Sequence, residues 1–429
     1  MNILFFTNTY LPHVSGVAKS VCTLETAFRE RGHEVRVIAP KFAGAEPDPD
    51  VLRVPAIQNF NGSDFSVRIP IPNAIGSFVE DFGADVVHSH QPFLLGDAAL
   101  RVARRLGLPL IFTYHTLYER YTHYVPFDSP TLKRMAVGLS TEYCNLCDQI
   151  IAPSESIAKL LKERGVETPV DAIPTGIDID AFASGDGPCF RQSKGISAEA
   201  RVIGTVGRLA EEKNLLYLAE AVAAYLQEHR DAVFMVVGDG DVREDMLAVL
   251  KKGAKETQIH VVGKLSGKEL RDAYAAMDCF VFASQTETQG IVLAEALAAG
   301  KPVVALDGPG VREVVEDGRN GFLLPSDIPP AGFVKHLEKL FADEETWRAY
   351  SEAARKSVDA YDTGTCAKRI LDCYRQIVAE HRPDDVGEVP DFWQRTLAGF
   401  EAEWDLMTTK SAAVRAAFER EDKLEASLD

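Results

Sequence analysis

An alternation of short apolar runs with helix-spaced stretches most constrains what this 429-residue chain can fold into. Asn2–Phe6 is apolar, Thr7–Gly16 is rich in turn formers, and Val17–Arg31 carries helical spacing. Gly32 ends that helix, and Val35–Ala39 is apolar again. Strand, loop, helix, strand is the opening of a doubly wound α/β sheet. Asp85–His90, Leu110–His115 and Gln149–Ser154 continue the series, with Ser154 suited to cap the helix that follows. After Asp178–Gly195, rich in Gly and Asp, the pattern restarts. Arg201–Gly207, Ala232–Gly238, Ile259–Gly263, Cys279–Ala283 and Pro302–Ala305 read as strands, and Leu215–His229 as a helix. Two such series predict two Rossmann-like domains, 1–175 and 176–380, facing across a cleft. The last helix of the second is expected to return to the first domain. A helical tail, 381–429, follows. Ligands of such sheets sit at the carboxyl ends of the strands, where this chain places its polar clusters.

The richest cluster is Phe282-Ala-Ser-Gln-Thr-Glu-Thr-Gln-Gly-Ile-Val-Leu-Ala-Glu295. Glu287, in a polar turn, can accept hydrogen bonds from sugar hydroxyls. Gly290 stands where strand gives way to helix and lets backbone approach a ligand closely. The N–H groups from Ile291 onward favour an anion. Glu295, flanked by apolar residues, is placed to take ribose hydroxyls rather than to decorate a helix surface. A second cluster, Gly204–Asn214, puts Arg208 just after a strand and Lys213 five residues later. An Arg fork and a mobile ammonium suit a diphosphate, although two solvated charges at a helix start would look the same. In the first half, Gly16 could admit a phosphate at a helix start. His88, His90 and His115 all end strands that face the expected cleft, and position alone does not separate them.

Bulk properties exclude several classes. The net charge of −18 argues against nucleic acid. It is uneven: residues 1–172 carry 16 Lys/Arg and 19 Asp/Glu (net −3), which leaves 30 and 45 (net −15) for the rest. An anionic surface would therefore be repelled least by the first part. The start Met1-Asn-Ile-Leu-Phe-Phe is too short and lacks a basic leader, so no secretory signal is expected. No run reaches the ~18 apolar residues of a spanning helix. Seven cysteines suit a reducing, cytoplasmic setting. Cys144-Asn-Leu-Cys147, a lone pair, reads as two small helix residues rather than a metal or redox motif. The formal Asp-x-Asp in Val237-Gly-Asp-Gly-Asp241 reads as a turn after a strand. No metal site and no cofactor are expected.

Together these residues resemble the retaining glycosyltransferases of family 4, over roughly residues 1–380. The two glutamates separated by seven residues are the most specific element, supported by Gly207-Arg-Leu-Ala-Glu-Glu-Lys213 and Ile173-Pro-Thr-Gly-Ile-Asp178. The resemblance implies a GT-B fold and a nucleotide-sugar donor. It implies that Glu287 meets the donor sugar, Glu295 the ribose, and Arg208 and Lys213 the diphosphate. It assigns the first-domain phosphate loop to Gly16 and the histidine over the donor sugar to His115. Tyr10–Ala18, Thr113–Glu119 and Ser284–Glu295 are similar to the bacterial diacylglycerol α-glucosyltransferases and their sulfolipid-synthase relatives. In that branch Thr288-Gln289-Gly290 replaces the usual Gly-x-Gly. The implied enzyme is a metal-independent hexosyltransferase moving glucose from UDP-glucose to diacylglycerol with retention. It would be cytoplasmic and peripheral on the inner face of the plasma membrane. A soluble-acceptor transferase and a non-catalytic sugar-nucleotide-binding protein are the alternatives. The apolar stretch Phe60–Phe78 fits either a lipid site or core. Trp393, Leu397, Phe400 and Trp404 share one helical face, for packing, membrane contact or oligomerisation. No feature of the sequence specifies an oligomeric state.

Overall fold

The computed structural model describes residues 1–13, 15–57, 67–68, 75–120 and 130–381. Among them a seven-stranded sheet is built from β1 (Asn2–Phe6), β2 (Glu34–Pro40), β3 (Val51–Val54), β6 (Val86–Ser89), β7 (Leu110–Thr113), β8 (Gln149–Ala152) and β9 (Val170–Ala172). Two short strands, β4 (Ala56–Ile57) and β5 (Val67–Arg68), pair antiparallel beside it in sequence. A six-stranded sheet follows: β10 (Arg201–Val206), β11 (Ala232–Val237), β12 (Ile259–Gly263), β13 (Cys279–Phe282), β14 (Val303–Leu306) and β15 (Gly321–Leu324). The spatial orders are β3-β2-β1-β6-β7-β8-β9 and β12-β11-β10-β13-β14-β15, parallel throughout. The expected pair of Rossmann-like sheets in a GT-B arrangement is therefore present.

Apolar runs make these strands because parallel sheets are covered on both faces. In β1, Leu4 and Phe6 enter one core layer while Ile3 and Phe5 enter the other. In β11, Met235 and Val237 face one layer and Phe234 and Val236 the opposite one. The helix Thr363–Glu380 buries Ala367, Ile370, Leu371 and Tyr374 against Ile3, Phe5 and Phe28 of the first sheet's layer. Strand order reverses between β1 and β6 and again between β10 and β13. Those two switch points set where loops diverge and leave a crevice.

Beyond the sequence reading lie the short pair β4 and β5 and three edge strands, β3, β9 and β15. Each edge strand lacks an unbroken apolar run: Arg53 interrupts β3, Asp171 interrupts β9, and β15 opens on Gly321. Cys144 lies in the helix Pro130–Asn145, but Cys147 falls past its end, which corrects the reading of both as helical. Both are buried free thiols. Gly238 and Gly240 turn the chain after β11 with φ of 141° and 157°. Of Phe60–Phe78, Ile75 is buried and Phe78 packs on the first core. Phe60, Phe65, Ile69 and Ile71 lie outside the described residues, as do Trp393, Leu397, Phe400, Trp404 and all of the tail beyond His381.

Candidate active site

Both switch points deliver side chains to one crevice. From β1, the chain passes to Ser15, whose hydroxyl accepts from the Ala18 N–H at 3.1 Å and starts the helix Gly16–Arg29. A Cβ built on Gly16 would meet nothing within 4 Å, and its φ is not left-handed. Neither packing nor backbone geometry requires glycine there, so the bare backbone is left for a ligand. From β10 come Arg208 and, at the end of the turn Glu211–Lys213, Lys213. From β13 comes the loop carrying Glu287, followed by the helix Ile291–Ala298. Gly290, at φ 73°, precedes that helix without a side-chain cap, so its first N–H groups are open to an anion. Glycine is also required at 290 by structure: a Cβ would come within 2.9 Å of the Leu293 side chain and 3.0 Å of the Gly310 carbonyl.

Three ion pairs line the crevice. Lys213 Nζ donates to Glu287 Oε1 at 2.5 Å. Arg208 donates to Glu212, and Lys19, one turn into the first-domain helix, donates across the crevice to Glu295. The acids of the last two pairs are nearly covered, with side-chain exposures of 3% for Glu212 and 2% for Glu295. Their cations reach outward, at 35% for Arg208 and 42% for Lys19. Phosphate oxygens would compete with carboxylates for exposed cations, an exchange of like partners. The second Glu295 oxygen accepts from Tyr274 Oη at 2.8 Å. Burial pushes the Tyr274 phenol well up, and the neighbouring carboxylate adds to it, so the hydroxyl stays a neutral donor. Beside the Lys213–Glu287 pair a recess of about 390 Å³ opens between Glu212, Asn214, Gln285, Thr286 and Arg312, with Arg120 of the first domain at its wall. That volume is in the range of small-ligand sites.

The three histidines take different positions. His88 and His90 are fully buried under the sheet end, and Phe5 packs edge-on against both rings. His88 bonds Tyr374 Oη and, at 2.7 Å, Thr113 Oγ1. His90 Nδ1 meets His115 Nε2 at 3.0 Å. Only His115 retains partial exposure, and its carbonyl accepts from Thr288 Oγ1 of the second domain at 2.9 Å. Burial pushes the His115 imidazole down to about 3, so it is neutral at physiological pH.

Glu287, Glu295, Arg208, Lys213, Gly290, Ile291, Gly16 and His115 are thus brought to one crevice. Sequence reasoning missed Lys19, Tyr274 and Glu212. Lys19 carried one usable signal, a cation three residues after Gly16. Tyr274 looked like any core aromatic. Among the described residues no group of three His, Cys, Asp or Glu could hold a metal. Among the first-domain cations outside the crevice, Arg101 pairs with Asp97, Arg105 with Glu80, and Arg104 donates to the Leu146 carbonyl.

Family comparisons match the same two halves. The model for Glycosyltransferase Family 4 matches residues 14–181, and that for glycosyl transferases group 1 matches residues 188–357. The chain is 30% identical over 397 residues to the alpha-monoglucosyldiacylglycerol synthase of Acholeplasma laidlawii, covering 88% of this chain and 98% of that protein. It is 31% identical over 389 residues to the GDP-mannose-dependent alpha-mannosyltransferase of Mycolicibacterium smegmatis, with the same two coverages, 88% and 98%. Among solved structures it is similar in fold to the sucrose-phosphate synthase of Thermosynechococcus elongatus, with a TM-score of 0.70 at 20% identity, covering 88% of this chain and 99% of that one.

Proposed function

The chain belongs to the family 4 glycosyltransferases, and from that premise we propose that it moves glucose from UDP-glucose to a hydroxyl of diacylglycerol with retention at the anomeric carbon. The observation that carries the transferase reading is the set of three carboxylate–cation pairs, Lys213–Glu287, Arg208–Glu212 and Lys19–Glu295, gathered at the two switch points. A sugar nucleotide needs these partners in this order: a carboxylate for sugar hydroxyls, cations for the diphosphate, a carboxylate for the ribose. The acceptor and the donor sugar are supported by similarity to the glucosyldiacylglycerol synthase over 98% of its length.

In this reading the donor hexose lies by Glu287, with His115 over it. Its diphosphate faces Arg208, Lys213 and the N–H groups at the start of Ile291–Ala298. Its second face meets the bare backbone at Gly16. The sugar–oxygen bond breaks as the acceptor hydroxyl enters on the same face, and the departing phosphate takes the hydroxyl proton. The protein stabilises the charge that develops on the leaving group. Arginine, lysine and backbone donors supply the opposing positive charge in place of a metal. Closure of the two domains keeps water from the donor.

Glu295 is assigned to the ribose, far from the breaking bond. Glu295→Gln keeps the shape and a partner for Tyr274 but loses the charge. Charge-assisted hydrogen bonds contribute about 1.5–3 kcal/mol. KM for the donor should therefore rise about 10-fold or more, with kcat within about twofold, since a remote contact binds ground and transition states alike. Steady-state kinetics check this. A fall in kcat at constant KM would remove Glu295 from the ribose.

No described helix is long and apolar enough to cross a membrane, and a lipid acceptor would be met by peripheral attachment at the inner face of the plasma membrane. The first domain, with net −3 against −15 for the remainder, is the side that an anionic surface tolerates. Nucleotide release should be fastest with UDP-glucose and should rise when vesicles containing diacylglycerol are added. Release that ignores vesicles, or proceeds as well onto a soluble sugar, would sink the lipid acceptor. A second reading exchanges the donor: similarity to the GDP-mannose-dependent mannosyltransferase is as extensive, and GDP-mannose in the same screen separates the two.

A further inference from the structure

The loop between Glu287 and the helix Ile291–Ala298 does more than connect them. Its two middle residues, Thr288 and Gln289, point away from their own domain. Behind them the backbone rests on Gly310, where a Cβ would stand 2.6 Å from the Gln289 nitrogen and 2.7 Å from the Thr288 carbonyl carbon. The loop cannot retreat that way, so its side chains are held toward the first domain.

Four hydrogen bonds result. Thr288 Oγ1 donates to the His115 carbonyl at 2.9 Å, and the Thr288 carbonyl accepts from Ser154 Oγ at 2.7 Å. Ser154 is also the cap of the helix Glu155–Glu163. The Gln289 amide accepts from the Thr175 N–H at 2.7 Å and donates to the Thr175 carbonyl at 2.8 Å. Thr175 lies in the segment that joins the two sheets, and its hydroxyl meets Ser20 Oγ of the helix Gly16–Arg29 at 2.8 Å. Gln289, Thr175 and Ser154 are buried. A primary amide carries a donor and an acceptor side by side, so one Gln289 side chain satisfies both the N–H and the C=O of Thr175.

We infer that Thr288 and Gln289 are positioning residues that fix the start of the diphosphate helix against His115 and the interdomain connection, so that donor and acceptor halves meet in reacting register. This rests on the transferase reading given above. Neither residue touches the reacting atoms. Each acts through a neighbour assigned to the donor: Thr288 through His115, Gln289 through Gly290 and Ile291. Misplacement by an ångström is enough to cost about 100-fold in a positioned reaction.

The test compares Gln289→Gly, Gln289→Glu, Thr288→Val and Thr288→Ser with the parent protein. Transfer from UDP-glucose to diacylglycerol vesicles, donor hydrolysis without acceptor, thermal unfolding and small-angle X-ray scattering are measured on each. Gln289→Glu keeps the shape but sets a carboxylate oxygen against the Thr175 carbonyl, so it should behave like Gln289→Gly. For both, and for Thr288→Val, kcat should fall about 10- to 100-fold. Donor KM should move less than about threefold, and the share of donor lost to water should rise. Thr288→Ser keeps the hydroxyl and should stay within about twofold of the parent. A merely structural role would lower melting temperature without changing the ratio of hydrolysis to transfer. Unchanged kcat and an unchanged ratio in Gln289→Gly would overturn the inference. If the parent releases nucleotide from no donor, the transferase reading fails, and scattering decides the positioning role alone. Expansion of Gln289→Gly relative to the parent then supports it, and identical scattering overturns it.

Discussion

Replacing Lys213 by alanine is expected to lower turnover by about 100- to 1,000-fold, the range seen when one preorganised donor to developing charge is removed. Lys213 stands at the end of a short turn and holds Glu287 at 2.5 Å, so one substitution takes a cation from the leaving group and a partner from the sugar carboxylate. Both side chains are mostly covered, at 20% and 17% exposure. Losing one member of such a pair costs more than a surface ion pair, but only about 1–2 kcal/mol. Melting temperature should fall by only a few degrees. Rate and stability therefore separate. Lys213→Arg keeps the charge and should recover part of the rate, although a planar fork does not replace a mobile ammonium. Nucleotide release under saturating UDP-glucose, with thermal unfolding in parallel, decides the matter. A Lys213→Ala protein with normal turnover would remove Lys213 from the leaving-group site and return it to an ordinary ion pair.

Most of the fold was legible because parallel strands covered on both faces leave continuous apolar runs, and glycines mark where strands turn into helices. β1 and the helix from Gly16 show both signals, as do β13 and the helix after Gly290. The edge strands β3, β9 and β15 were not legible, since Arg53, Asp171 and Gly321 break or shorten their apolar runs. For the candidate site, local motifs pointed to Glu287 and Glu295 and the family resemblance to Arg208 and Lys213, which all lie near strand ends of one domain. Partners from elsewhere were invisible. Lys19 is 276 residues from Glu295, and no spacing rule spans that distance. Thr288 and Gln289 were visible only as a departure from a family spelling. Their bonds to His115, Ser154 and Thr175 depend on how two separately folded sheets meet. The ambiguity among His88, His90 and His115 has the same origin. Each ends or follows a strand, and only the packing of Phe5 and Tyr374 shows which two are covered.

Those covered histidines are expected to make stability fall as the solution is acidified. Burial holds His88 and His90 well below the usual 6.5, and His115, although partly exposed, is down at about 3. Protonating His90 would place a charge beside an Nε2 with no hydrogen-bond partner, next to the His115 ring and the edge of Phe5. The sign follows from proton counts. Between the folded and unfolded values, the unfolded chain binds more protons than the folded one, so stability rises with pH in that window. The full contribution is present above 6.5 and is lost as pH drops from 6.5 toward the depressed folded values. The two fully buried rings alone account for a slope of at most two protons, an upper bound on the order of 3 kcal/mol between pH 7.5 and 5.5. Glu25, whose buried carboxyl is raised from 4.5, opposes this by one proton at most. The lowered carboxylates Asp272, Asp343 and Glu352 lose their contributions only below their ordinary values of 3.8, 3.8 and 4.5, outside the window. Melting temperature should therefore drop by roughly 3 °C from pH 7.5 to 5.5. His88→Gln can still bond Tyr374 and Thr113 but has no proton to gain, so it should flatten the dependence by about one proton. A melting temperature that is flat across this range, or a His88→Gln protein with an unaltered slope, would mean that these rings are charged in the folded protein.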